Sequence, residues 1–288
     1  MQLSAPTYRS SRRARRGLSE ASKYILLMAL LILFAGPFLW LLITALKTQD
    51  EMVAYPIHFL PTIPIWDNFV QAFTRINFLA YTANSFILSS IYATLVTLSS
   101  ALVGFGFARL KGWGKRPLFL IMLSTMMLPT IVTLIPTYIL FSHLGLVDTY
   151  WPWVLWGLSA SPYLVFLFRQ FFTAIPGELE EAAILDGCGY GRIFWQIFLP
   201  LSAPVLVTAF LLSFTWVWGD YIAPSLLLSQ DNQTLVVGIS IGYLDPHGNG
   251  LATIQAAAAL IYIIPEILVF FVAQRYFVRG IVTSGMKG

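Results

Sequence analysis

The sequence predicts an all-α fold, a polytopic membrane protein with six transmembrane helices. Three observations carry this: composition, the spacing of apolar runs and the placement of basic residues. Of 288 residues, 58% are hydrophobic and 10% charged, and the mean hydropathy is +0.76, so charges are too few to cover a soluble globule. A helical span needs about 20 mainly apolar residues. The segments that meet this are Tyr24 to Leu46, Tyr81 to Ala108, Leu118 to Ser142, Tyr150 to Phe171, Ala203 to Leu228 and Ala252 to Phe277. No stretch shows the alternation that a membrane β-barrel requires.

With the amino terminus inside, every one of the 17 Lys and Arg residues except Lys47 and Arg75 falls on the inner side. Cytoplasmic flanks carry such an excess, so both termini are expected in the cytoplasm. The net charge of +4 follows from the same bias, and its dispersal along one membrane face gives no reason to expect nucleic acid as a partner. The first apolar run has the basic flank of a signal peptide. It exceeds the ~7–15 residues of a signal core and lacks a small-residue cleavage site, and so reads as a retained span.

The chain divides at the loops. Residues 1–23 form a basic cytoplasmic tail, expected to be disordered, and residues 24–46 the first span. Residues 47–80 form an extracytoplasmic segment with Pro56, Pro61 and Pro64 and an interfacial helix from Ile65 to Phe73. A core of residues 81–278 follows, then a short tail of residues 279–288. The outer loop Ser229 to Leu251 carries the turn formers Asp231, Asn232, Asp245, Pro246, His247, Gly248 and Asn249. The lone Cys188 rules out an intrachain disulfide and a multi-cysteine metal site. His58, His143 and His247 stand outside any ligand spacing, so no metal is expected.

One segment lacks the apolar character of its neighbours: "EAAILDGCGYGRIFWQIFLP", Glu181 to Pro200, between the fourth and fifth spans on the inner side. Pro176 suits the first turn of a helix, and Glu178, Glu180 and Glu181 complement its positive end. Ala182 and Ala183 give a low-profile face for close packing, and Gly187, Gly189 and Gly191 supply chain reversals. The spacing predicts a surface helix ending near Gly187. It also predicts a second apolar helix along the membrane from Arg192 to Leu199, with Pro200 and Pro204 setting the start of the fifth span.

The pattern Glu181-Ala182-Ala183, Asp186-Gly187, then Ile197, Leu199 and Pro200 resembles the EAA loop of permease subunits in binding-protein-dependent importers driven by ATP-binding cassettes (ABC importers). The carboxyl end "QRYFVRGIVTSGMKG" is similar to the carbohydrate-uptake branch, the maltose-type and glycerol-phosphate-type permeases, as are "NFVQAF", "NSFILS" and "FTWVWGDYIAPSLLL". The likeness runs from Ile25 to Gly288. It implies the type I ABC importer permease fold, with a coupling loop at residues 176–200 seated in a cleft of a cytoplasmic ATPase. Glu181 would meet basic or polar groups of that ATPase, Ala182 and Ala183 would allow close approach, Asp186 completes the motif and Gly187 makes the bend. Cys188 stands where the family often has alanine, another small residue.

The same resemblance implies partners: an ATP-binding cassette ATPase dimer, a second homologous permease, an extracytoplasmic solute-binding protein, a sugar substrate and membrane lipid. No G-x-x-x-x-G-K-[ST] phosphate loop occurs, so ATP and Mg are expected on the ATPase, with no cofactor and no enzymatic activity in this chain. The tail from Arg279 to Gly288 either reaches the ATPase interface, as in similar permeases, or is an ordinary basic flank.

Polar groups inside spans usually face a cavity, which singles out Asn84, Ser85, Asp220 and Glu266 for a substrate path. Trp216, Trp218 and Tyr221 beside Asp220 can stack on sugar rings, or they belong to the outer aromatic belt. Glu266 follows Pro265, where a hydrogen bond to carbonyls freed by the proline is expected, with a proton relay as the other role. Pro129, Pro136, Pro162 and Pro224 are candidate breaks in spans. Two functions therefore stand: permease subunit of an ATP-driven carbohydrate importer, or autonomous proton-coupled secondary transporter using Glu266 or Asp220. The loop at Glu181 separates them, since only the first needs a docking helix.

Overall fold

The computed structural model describes residues 8–284 and divides into two compact units, Met1–Ala72 with Asp245–Ile261, and Phe73–Leu244 with Tyr262–Gly288. Among the described residues the chain is helical and has no β-strand. In the first unit α1 runs over Tyr8–Ala45 and α2 over Gln49–Val53. Helix therefore begins within the 1–23 segment expected to be disordered; its run of Arg, Ala, Leu, Glu and Lys without Pro lets the helix of the first span propagate backward. Residues 1–7 lie outside the description. Most of the apolar stretch Ser22–Ala45 of α1 is exposed, and burial begins only at its end, at Thr44 and Ala45.

The end of α1 is fastened by a polar side chain. Asn68, from α3 (Asp67–Thr74), donates to the carbonyls of Ala45 and Lys47 at 2.8 and 2.9 Å, satisfying acceptors that a helix end leaves open. Lys47 is buried at 3% exposure, donates to the His58 carbonyl and lies 5.6 Å from the ring centre of Trp40. Thr48 and Glu51 form a capping box on α2, and a Glu51 oxygen also accepts from the Thr62 amide at 2.8 Å.

The second unit is built on α4 (Phe78–Arg109), whose buried residues recur at helical spacing from Phe78 to Phe105. Next come α5 (Lys115–Ser124), a 3-10 turn at Thr125–Met127, α6 (Thr130–His143), α7 (Trp151–Leu158) and α8 (Pro162–Ala174). Gly104 and Gly157 let α4 approach its neighbours: a Cβ on Gly104 would lie 2.7 Å from Phe168 Cβ, and one on Gly157 2.8 Å from Leu95 Cβ. Between α7 and α8, where Ala160 takes a φ of 60°, the Ser161 amide donates to the Ser100 hydroxyl at 2.9 Å. A backbone group freed by the break is so paired again.

Then follow α9 (Gly177–Leu185), α10 (Tyr190–Ile193), a π-helical turn at Phe194–Phe198, α11 (Leu199–Leu201), α12 (Ala203–Trp218), α13 (Ile222–Leu227), a 3-10 turn at Gln230–Asn232, α14 (Leu235–Ile241) and α15 (Ala252–Ser284). Among the described residues, four helices are long and apolar enough to cross a membrane: Ser22–Ala45, Phe78–Arg109, Trp151–Ala174 and Ala252–Val272. Two more candidates are bent pairs, Lys115–Met127 with Thr130–His143 at 97°, and Tyr190–Leu201 with Ala203–Trp218 at 80°. The count is six if each bent pair is one span.

Several expected boundaries move. The span Leu118 to Ser142 breaks at Pro129, which lacks a donor and holds Leu128 in an extended conformation. Pro136, by contrast, lies inside α6 without ending it. The span Ala203 to Leu228 stops at Trp218 and resumes as α13, which contains Pro224. The single helix expected from Arg192 to Leu199 is interrupted by the π turn. Pro200 cannot donate to the Gln196 carbonyl, and the Leu199 amide reaches back to Phe194 instead. The loop from Ser229 to Leu251 is not turns alone, because the apolar run at Leu235 forms the buried helix α14. Finally, α15 continues to Ser284, past the start at Arg279 of the expected short tail; Gly280 weakens a helix by about 1 kcal/mol but does not stop one. Residues 285–288 of that tail lie outside the description.

Candidate coupling loop and membrane cavity

The loop after α8 folds as its residues dictate. Pro176 caps α9 from just outside it, and Glu178 and Glu180 stand in the first turn, against the positive helix end. The helix closes in a Schellman arrangement: Cys188 N–H donates to the Ala183 carbonyl at 2.9 Å and Gly187 N–H to Ile184 at 3.0 Å, with Gly187 at a φ of +80°.

The helix has two unlike sides. Ala183 is buried at 6% exposure in a core with Phe105, Phe172, Phe194 and Phe198, against which Cys188 also packs. Glu180, one turn earlier, is half-buried and lies 3.5 Å from Arg109. Glu181, Ala182, Asp186 and Gly187 are exposed, and Leu185 is 88% exposed. Ala183 therefore packs inward and does not share the outward face expected for it beside Ala182: the 3.6-residue period that turns Ala182 out turns Ala183 in. Sequence reading missed Leu185, the most exposed of three large apolar side chains that α9 leaves open with Leu179 and Ile184, and it missed the Arg109–Glu180 pair.

The substrate-path candidates part company. Trp216, Asp220, Tyr221 and Glu266 line one cavity of about 910 Å³, with Thr130 and Thr215 among its other walls. Trp216 is 69% exposed, whereas Trp218 is buried at 1%, stacked between Phe214 and Tyr262 with ring centres at 5.7 and 5.5 Å. Trp218 therefore braces the end of α12 and offers no ring to a ligand. Asp220 Oδ1 accepts from the Ile222 and Ala223 amides at 3.0 and 3.3 Å, which orients the carboxylate at the start of α13. Glu266 forms no hydrogen bond among the described residues, so the expected bond to carbonyls freed by Pro265 is not made; the side chain lines the cavity instead.

Asn84 and Ser85 do other work. Asn84 donates to the Gln233 carbonyl at 3.1 Å, and the Ser85 hydroxyl accepts from the Leu235 amide at 2.8 Å. Together they pin the start of α14 to α4, and neither lines the cavity.

Residues 100–283, more than half of the chain, match the family described as binding-protein-dependent transport system inner membrane components. The chain belongs to this family. The permease is 32% identical over 276 residues to the probable ABC transporter permease protein YurM of Bacillus subtilis, covering 94% of this chain and 90% of that one. It is likewise 32% identical over 256 residues to the arabinooligosaccharides transport system permease protein AraQ of Halalkalibacterium halodurans, covering 88% and 91%. The permease shares its fold with a chain of a bacterial ABC transporter involved in the import of the acidic polysaccharide alginate, with a TM-score of 0.76 at 21% identity over 95% of this chain and 100% of that one. It is thus a membrane-spanning transport component with the type I ABC importer permease fold.

Proposed function

We propose that the permease is one of two homologous membrane subunits of an ATP-driven carbohydrate importer, and that α9 is its coupling helix. The observation that carries this reading is the sidedness of α9. Glu181, Ala182, Leu185 and Asp186 are free for a partner, while Ala183 and Glu180 are held to the bundle. A helix exposed on one side and anchored on the other can receive a push and pass it on.

In this reading an ATPase dimer binds ATP and Mg and closes on α9, which rocks the spans between inward and outward access. A binding protein delivers sugar at the outer loops. The chain sits in the inner membrane of a prokaryote with both termini in the cytoplasm and performs no covalent chemistry. Residues 81–278 act as the core permease unit, with 176–200 as its coupling loop.

Carbohydrate as cargo draws on the arabinooligosaccharide relative and suits the cavity. Trp216 and Tyr221 present aromatic faces for sugar rings, and the carboxylates of Asp220 and Glu266 accept from hydroxyls. Proton coupling by the same two carboxylates is the weaker reading, because a secondary transporter has no use for a docking helix.

The test is co-purification from detergent-solubilised membranes, with associated chains identified by mass spectrometry. The wild type is expected to bring down an ATPase and a second permease, and Glu181→Lys and Gly187→Trp to lose the ATPase while remaining inserted. A wild-type chain that runs alone would sink the importer reading.

A further inference from the structure

Arg109 ends α4 and gathers three other elements around one guanidinium. Its Nη2 donates to the Phe172 carbonyl at 2.6 Å and to the Ile175 carbonyl at the close of α8. Both carbonyls lie at the carboxyl end of α8, where positive charge is favoured; the Phe172 carbonyl also accepts from the Ile175 amide at 3.2 Å. Nη1 lies 3.5 Å from Glu180 Oε2 on α9, and the two side chains are only 12% and 13% exposed, so solvent screens the pair far less than a surface ion pair. The guanidinium carbon stands 4.9 Å from the ring centre of Phe198, in the π turn before α12. One turn earlier on α4, Phe105 packs on Phe172, Phe194 and Phe198 at 6.0, 5.2 and 5.0 Å, joining the same elements through their rings. A planar fork that reaches two carbonyls and a carboxylate while stacking on a ring is chemistry that Lys does not offer.

We propose that Arg109 is the positioning residue that makes α9 move as one body with the inner ends of α4 and α8 and the turn before α12. The role rests on the reading of α9 as the coupling helix. The backbone alone would not provide it: α9 is joined on one side through the extended Ile175 and Pro176 and on the other through Gly187 in a left-handed conformation, two places where the chain can pivot. A push on Leu185 or Glu181 would be absorbed at those pivots unless side chains tie the helix down. Glu180 to Arg109 is the polar tie, one helical turn from the apolar anchor Ala183.

The experiment places spin labels at Leu185 on α9 and Leu98 on α4, both exposed, in a Cys188→Ser background of the purified full chain, free of any ATPase. A second pair, at Leu98 and the exposed Leu212 on α12, reports on the bundle itself. Distance distributions are read by pulsed electron paramagnetic resonance. The expected result is a narrow Leu185–Leu98 distribution in the parent chain that widens at least twofold in Arg109→Gln and Glu180→Gln, while the Leu98–Leu212 distribution keeps its width. Unchanged widths in both variants would overturn the proposal, as would equal widening of both label pairs, which marks general loosening. Should Arg109→Gln fail to insert, Glu180→Gln carries the test, because it leaves the contacts of Arg109 to the carbonyls and to Phe198 in place. The distances do not depend on the ATPase, so a wild-type chain that fails to co-purify with one would remove the coupling reading and leave the tie itself standing.

Discussion

The Tyr262 hydroxyl donates to the Trp218 carbonyl at 2.9 Å, and the two rings stack 5.5 Å apart with planes 19° from parallel. This pair secures the last turn of α12 just where the chain leaves the helix as Gly219 and Asp220 to form a cavity wall. Tyr262→Phe keeps the stack and loses the hydrogen bond, and is expected to cost about 1 kcal/mol. Thermal unfolding of the detergent-solubilised chain checks this; a loss as large as that of Tyr262→Ala would show that the bond is not the part removed.

The two tryptophans flanking Val217 should separate by phenotype. Trp218→Ala empties a fully buried site and should destabilise by about 3–5 kcal/mol. Trp216→Ala removes an exposed ring at the cavity, so it should lower sugar uptake by the reconstituted transporter while leaving the melting temperature nearly unchanged. Equal melting temperatures for the two variants would contradict this assignment.

At Gly104 the limit is steric. An added Cβ would press on Phe168 Cβ at 2.7 Å and on the Val165 carbonyl oxygen at 3.1 Å. Gly104→Val should therefore cost about 1–3 kcal/mol, the usual range for overpacking, and reduce the monodisperse fraction in size-exclusion chromatography. Gly36, with nothing within 4 Å of its added Cβ, is the control and should tolerate alanine.

Glu51 supplies the pH prediction. Hydrogen bonds from Thr62, then from the Thr48 amide, hold its carboxyl down at about 2, below the unfolded value of ~4.3. A lowered folded value means that the contribution is fully present above the unfolded value and is lost as pH falls through the folded one. Hydrogen-exchange protection of the Thr62 amide should persist from neutral pH to about 4 and disappear toward pH 2; Glu51→Gln should lower it throughout. Protection that is flat across this range in the wild type would contradict the assignment.

How much of this was legible in the sequence depends on the range of each interaction. The helix at α9 and its stop at Gly187 could be read because Pro176, the glutamates and the glycine are local signals acting on their own backbone. Ala183 was misplaced because a motif shows spacing without showing which side of a helix meets the bundle. Trp216 and Trp218 are two positions apart, so they face different ways on a helix, and only the packing of Phe214 and Tyr262 decides which is buried. The helix α14 was hidden by the turn formers around it, although Leu235, Val236 and Val237 were the signal. Arg109 read as one more inner cation; its partners Phe172, Ile175, Glu180 and Phe198 lie far along the chain, where no periodicity connects them.

The most direct measurement is photo-crosslinking in native membranes from a benzophenone amino acid placed at Leu185, Glu181, Glu180 or Ala183 in turn. The outward positions Leu185 and Glu181 are predicted to capture an ATPase subunit, and the inward positions Glu180 and Ala183 to give only links within the permease. Capture of the ATPase from the inward positions, or from none of the four, would contradict the assignment of α9 as a one-sided coupling helix.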